Sequence, residues 1–129
     1  MYAVKAYRFI PSQMVPQQEY DHAVRLLAGN PLDIQILEAL IGRPRRYSEL
    51  QPLLKGKSDV VLNRALDRLL EADLVDRVTQ GGAPPIHTYE LTPMGAHALF
   101  ALTRLREPHR LDAYARAYYE ARSRVADTA

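Results

Sequence analysis

Residues 45–95 read R-R-Y-S-E-L-Q-P-L-L-K-G-K-S-D-V-V-L-N-R-A-L-D-R-L-L-E-A-D-L-V-D-R-V-T-Q-G-G-A-P-P-I-H-T-Y-E-L-T-P-M-G, and the fold is decided there. Ser48 with Gln51 has the spacing of a capping box, which predicts a short helix over Glu49 to Leu54. Lys55-Gly56-Lys57 then makes a turn, with glycine supplying the positive φ that closes a helix. Ser58 or Asp59 caps a second helix, in which Leu62, Leu66 and Leu69 share one buried face. Its other face carries Val60, Asn63, Arg64, Asp67 and Arg68. Any amphipathic helical hairpin would give that leucine spacing, so the sequel matters more. Leu74 to Gln80 reads as a strand, Gly81 to Pro85 cannot continue it, and Ile86 to Leu91 returns. Two helices joined by a glycine-bearing turn and followed by a hairpin form a winged helix-turn-helix, mostly α with a small β wing, hence α+β.

Outward from this centre, Asn30-Pro31 reads as an N-cap followed by a first-turn proline. The helix it opens runs to about Ile41, with Leu32, Ile36, Leu37, Leu40 and Ile41 as its apolar stripe. Glu19 to Ala28 forms an earlier helix carrying Tyr20, Ala23, Val24 and Leu27 on one side. Before it, Tyr2, Val4, Tyr7 and Phe9 suggest an extended arm over residues 1–18. Thr92-Pro93 repeats the cap-then-proline device and opens a helix to about Arg106, with Met94, Ala98, Leu99, Leu102 and Leu105 inward. Pro108 stops it. From His109 to Val125, apolar residues at steps of three and four give an a/d pattern of about two heptads. This divides the chain into an arm (1–18), a DNA-binding domain (19–108) and a C-terminal dimerisation helix (109–129).

The stretch R-R-Y-S-E-L resembles the helix entry of the HxlR-type winged-helix transcriptional regulators, within the MarR-like group. K-S-D-V-V-L-N-R-A-L-D-R-L is similar to their recognition helix and P-P-I-H-T-Y-E-L-T-P-M-G to their wing return; the likeness extends over roughly residues 23–105. It implies a homodimeric, sequence-specific regulator acting on a near-palindromic operator in the bacterial cytoplasm. The chain departs from the family pattern in three places: Gly29-Asn30-Pro31 where G-K-W is usual, Val60 where a basic residue is common, and Ile86 near a usual wing arginine. Many relatives carry an N-terminal cysteine that senses oxidants. This chain has none.

Composition bounds the alternatives. At 129 residues with 47% apolar and 25% charged residues, the chain has the makeup of one ordinary globular domain. Without cysteine it can form neither disulfides nor thiolate metal sites. No apolar run is long enough to span a bilayer. High arginine and alanine with scarce lysine suggest a GC-rich genome. His22, His87, His97 and His109 fall on different elements, none paired at the spacing that puts two ligands on one helix face. Gly81-Gly82 lacks the Gly-Lys-Ser/Thr of a phosphate loop. Asp33, Glu38 and Glu49 have no obvious partner. The reading is therefore not an enzyme, with no cofactor or metal.

The net charge is only +2, and residues 43–77 carry the whole excess. Ser58, Asn63 and Arg64 are the candidate base contacts: asparagine can pair bidentately with adenine and arginine with guanine. Arg45, Arg46, Lys55, Lys57, Arg68 and Arg77 are the candidate phosphate contacts on double-stranded DNA. Tyr20, Leu27, Leu111, Tyr114, Tyr118 and Val125 are the expected dimer interface, since the winged helix already encloses a core without the flanking helices. Two rival functions are kept. One is a protein-interaction module that has lost DNA binding, which Val60 and Ile86 would suit. The other is a ligand-responsive regulator with a small apolar effector at the dimer interface, near Tyr114, Tyr118 and Tyr119.

Overall fold

The computed structural model describes residues 17–128, with side chains through residue 124. The arm expected over residues 1–18 thus lies almost wholly outside the described residues, as does the Val125 side chain. In chain order the elements are α1 (Gln17–Ala28), α2 (Pro31–Leu40), β1 (Arg45–Arg46), α3 (Tyr47–Leu53), α4 (Asp59–Glu71), β2 (Val75–Gln80), β3 (Ile86–Leu91), α5 (Pro93–Arg106), a single 3-10 turn (Pro108–Arg110) and α6 (Leu111–Thr128). The architecture is a winged helix-turn-helix.

Leucine periodicity builds the core as expected: Ile36, Leu37 and Leu40 from α2 meet Leu50 from α3, Leu62, Leu66 and Leu69 from α4, and Leu99 and Leu102 from α5. The hairpin pairs Val75 with Leu91 and Gln80 with Ile86, an antiparallel register that runs its full length. The structure adds a third strand, too short for the sequence pattern to announce. Arg45 and Arg46 pair with Tyr89 and Thr88, making β1 one edge of a sheet ordered β1-β3-β2.

Several caps differ in detail from the sequence reading. Asn30 precedes α2 but does not cap it; its amide donates to the Leu26 carbonyl at 2.8 Å and so closes α1. The first helix of the motif begins at Tyr47, ahead of Ser48, because Glu49 rather than Gln51 reaches back, accepting the Arg46 N–H at 2.9 Å. Thr92 does cap α5, taking the Gly95 N–H at 2.9 Å while donating to the Asp73 carbonyl at 2.6 Å. Gly95 is required at this joint: a Cβ there would sit 2.1 Å from the Leu74 carbonyl oxygen. The wing is thereby fixed to the helix that follows it.

The flanking helices are where expectation and structure part. Leu27, expected to face a partner subunit, is 0% exposed within its own domain, because α1 lies along α5 and that face is already covered. Tyr118, also assigned to the interface, is 2% exposed and packs edge-on against Phe100 at 5.9 Å between ring centroids. Arg122 stacks over the Tyr118 ring at 4.7 Å and donates to the Leu91 carbonyl at 3.0 Å. Tyr114 donates to Glu38 on α2, and Arg110 stands 3.9 Å from the same carboxylate. Helix α6 therefore docks on its own domain, and Tyr20, Leu111 and Tyr114 keep only half-buried surface. Leu105, expected to point inward, is 79% exposed, since it lies on the side of α5 that no described residue covers.

Candidate nucleic-acid interface

The candidate interface is assembled at the turn between α3 and α4. Gly56 adopts φ +82°, as the turn requires, and the Lys57 N–H donates to the Leu54 carbonyl at 3.3 Å. Ser58 then caps α4, its Oγ accepting the Val61 N–H at 3.2 Å. Of the two capping candidates it is Ser58 that serves, which leaves Asp59 available for another task. The Asp59 carboxylate accepts from Tyr47 Oη at 2.7 Å and from Gln51 Nε2 at 2.8 Å, tying the start of α4 to α3. Partial burial, reinforced by the bond to Asp59, pushes the Tyr47 phenol up to about 12 and keeps it a donor. In the same first turn of α3, the Arg43 guanidinium, helped by the Arg46 N–H, holds Glu49 down at about 2.

With its inner stripe of Leu62, Ala65, Leu66 and Leu69 buried, α4 turns Val60, Asn63, Arg64 and Asp67 outward, all exposed. Asn63 and Arg64 have no side-chain hydrogen-bond or ion-pair partner among the described residues. The same holds for Lys55 and Lys57 in the turn and for Arg77 on β2. The structure thus groups Ser58, Asn63 and Arg64 with Lys55 and Lys57 on one helix and its entry.

Two expected phosphate contacts are otherwise engaged. Arg68 grips Asp33 through both Nε at 3.2 Å and Nη2 at 2.8 Å, so it fastens α4 to α2 instead of standing free. Its carboxylate partner is 0% exposed, and Arg68 is held above the usual guanidinium range by that hydrogen bond. Arg45 donates from Nε to the Ala39 carbonyl at 2.6 Å and is half-buried. Arg46 remains on the exposed surface. Asp33, Glu38 and Glu49, for which the sequence offers no obvious partner, pair with Arg68, Tyr114 and Arg43 respectively. A signal for the first exists: Asp33 lies one turn ahead of Ile36 and Leu37 on the same stripe, and a carboxylate there needs a cation.

On the wing, Thr79 and His87 face each other with 2.8 Å between Oγ1 and Nδ1, a cross-strand surface pair. Among the described residues no group of histidines and carboxylates could hold a metal ion, and no helix is long and apolar enough to cross a membrane.

A capped, outward-facing helix in a helix-turn-helix, backed by an antiparallel wing, defines a winged-helix transcriptional regulator. The chain belongs to the HxlR-like helix-turn-helix family, whose model matches residues 27–114. Solved structures agree on the fold. A protein described as a transcriptional regulator of the MarR family from Enterococcus faecalis V583 aligns at a TM-score of 0.63 and 23% identity, covering 83% of this chain and 97% of that one. The reduced form of the transcriptional regulator YodB from B. subtilis aligns at 0.54 and 22%, covering 74% and 98%. A protein described as the HTH-type transcriptional regulator ytcD aligns at 0.55 and 29%, covering 66% and 86%. No curated protein matches the sequence.

Proposed function

We propose that this regulator binds double-stranded DNA sequence-specifically, as a homodimer on a near-palindromic operator, with α4 in the major groove. The observation that carries the proposal is the bare outer face of α4. Asn63 and Arg64 sit there with unspent donors, next to the unpaired Lys55 and Lys57. Groups with that chemistry can read base edges and meet phosphates respectively. The capped start of α4 adds the positive end of a helix dipole, which favours a phosphate beside Lys57 and Ser58. Arg46 and Arg77 extend the basic rim on either side. Two copies are needed because one recognition helix spans few base pairs; a two-fold mate places the second about 34 Å away. Exposed Leu105, with half-buried Tyr20 and Leu111, supplies apolar surface for that mate.

The test is an electrophoretic shift on sites selected from a random DNA pool, at two salt concentrations, with sedimentation run in parallel. Wild type should shift as a dimer, and Leu105→Glu should sediment as a monomer that binds more weakly. A folded wild-type chain that enriches no sequence would overturn the proposal in favour of an interaction module.

A further inference from the structure

Val60 is the most exposed large apolar side chain of α4, at 59%, ahead of its neighbour Val61 at 43%. An exposed valine contributes nothing to the core, and its β-branched side chain is a poorer helix former than a straight-chain residue. Its position is informative. Val60 lies in the first turn of α4, three and four residues before Asn63 and Arg64, so the three side chains stand together on one surface. The first turn is the part of a recognition helix that reaches base edges. The neighbouring Asp59, which would repel the duplex, is held back on Tyr47 and Gln51. The ground in front of Val60 is thus open to a ligand.

We propose that Val60 is a specificity-determining residue that reads the C5-methyl group of a thymine, adjacent to the base edges met by Asn63 and Arg64. The claim rests on the DNA-binding function proposed above and deepens it. In the major groove, thymine presents one acceptor and one methyl group, and the methyl is the only apolar feature there. A valine cannot donate to a phosphate or to guanine, so a duplex lacking that methyl leaves both surfaces wet. Val60 therefore makes a contact that depends on the base and not on salt.

The experiment uses a duplex selected by the wild-type chain, with each thymine of a half-site replaced in turn by deoxyuridine, which removes the methyl and nothing else. Affinity is measured by fluorescence anisotropy for wild type, Val60→Ala and Val60→Thr, all at a surface position that leaves folding intact. At one thymine, wild type should lose roughly fourfold, the equivalent of about one buried methyl. Val60→Ala should bind the thymine and deoxyuridine duplexes alike, and Val60→Thr, which keeps one methyl, should retain part of the discrimination. Equal sensitivity of wild type and Val60→Ala at every position would overturn the assignment while leaving DNA binding intact. So would a selected site without thymine in the half-site. A wild-type chain that selects no site would instead overturn the underlying function, and this assignment with it.

Discussion

Toward its C-terminal end α4 is fastened and toward its N-terminal end it is bare. Arg68 spends two donors on a carboxylate that solvent does not reach, and Leu66 and Leu69 press the same half into the core. Nearer the start of the helix, Asn63 and Arg64 make no such commitments, and Val60 stands in water. At that end Leu62 holds the inner face in the core, and the polar groups that are engaged, Ser58 and Asp59, act on the first turn of the helix and on α3. A helix that must present donors to a ligand has to be immobilised by something other than those donors. Here the two tasks are divided along its length, so changes in the two halves should have separable effects.

The largest expected effect is on stability, from the fastened half. Arg68→Met leaves the Asp33 carboxylate buried without a cation, which should cost about 3 kcal/mol, the lower part of the range for breaking a buried pair because Arg68 itself is half-solvated. Urea denaturation checks it, and a loss under about 1 kcal/mol would mean that water reaches Asp33. Replacing both partners, Asp33→Leu with Arg68→Met, should recover most of the loss.

The bare half should respond in the opposite way. Asn63→Ala with Arg64→Ala should leave stability within about 0.5 kcal/mol of wild type, as exposed substitutions usually do. Preference for the selected site should fall by about 1–3 kcal/mol for each base edge that is no longer read. If the double variant instead unfolds early, the division of labour along α4 is wrong.

How far the sequence reveals this arrangement depends on whether a contact is local. The Ser58 cap, the Gly56 turn, the wing hairpin and the Thr92 cap all join residues close in the chain, and each is legible from residue type and spacing. The outer face of α4 is legible for the same reason. Asp33 with Arg68 and Glu38 with Tyr114 join residues far apart in sequence, so nothing in the local pattern names the partner. The destination of α6 is hidden on similar grounds. An apolar stripe announces that it will be buried but not whether its own domain or a second copy will bury it, and Tyr118 packs on Phe100.

Smaller effects belong to the rim around the bare half. Lys55→Ala, Lys57→Ala and Arg77→Ala should each weaken binding to all duplexes alike and reduce the salt slope by about 0.9. Arg45→Ala should differ, losing some stability as well, because its Nε–H is tied to the Ala39 carbonyl. Equal salt slopes for wild type and all three simple variants would place the phosphates elsewhere.

The smallest effect tests the hinge between the two helices of the motif, where Tyr47 on α3 holds Asp59 at the start of α4. Tyr47→Phe removes one hydrogen bond to an exposed carboxylate that still has Gln51, so the stability loss should be about 0.5–1 kcal/mol. The gap should also depend on pH, because burial first and the bond to Asp59 second disfavour the phenolate. The phenol is raised from its ordinary value of 10.0 to about 12 in the folded chain, so folding favours its protonated form. That contribution is fully present below the unfolded value and is lost as pH rises through the folded one. The stability gap between wild type and Tyr47→Phe should therefore be constant at neutral pH and close between about pH 10 and pH 12. Asp59, then held by Gln51 alone, would also be less tightly kept from the duplex, so the variant should bind DNA slightly less well at low salt and equally at high salt. A gap that persists unchanged to the top of that range would mean that the folded chain does not disfavour the phenolate, and the raised phenol would be the wrong account of what the Tyr47 hydroxyl supplies to the start of α4.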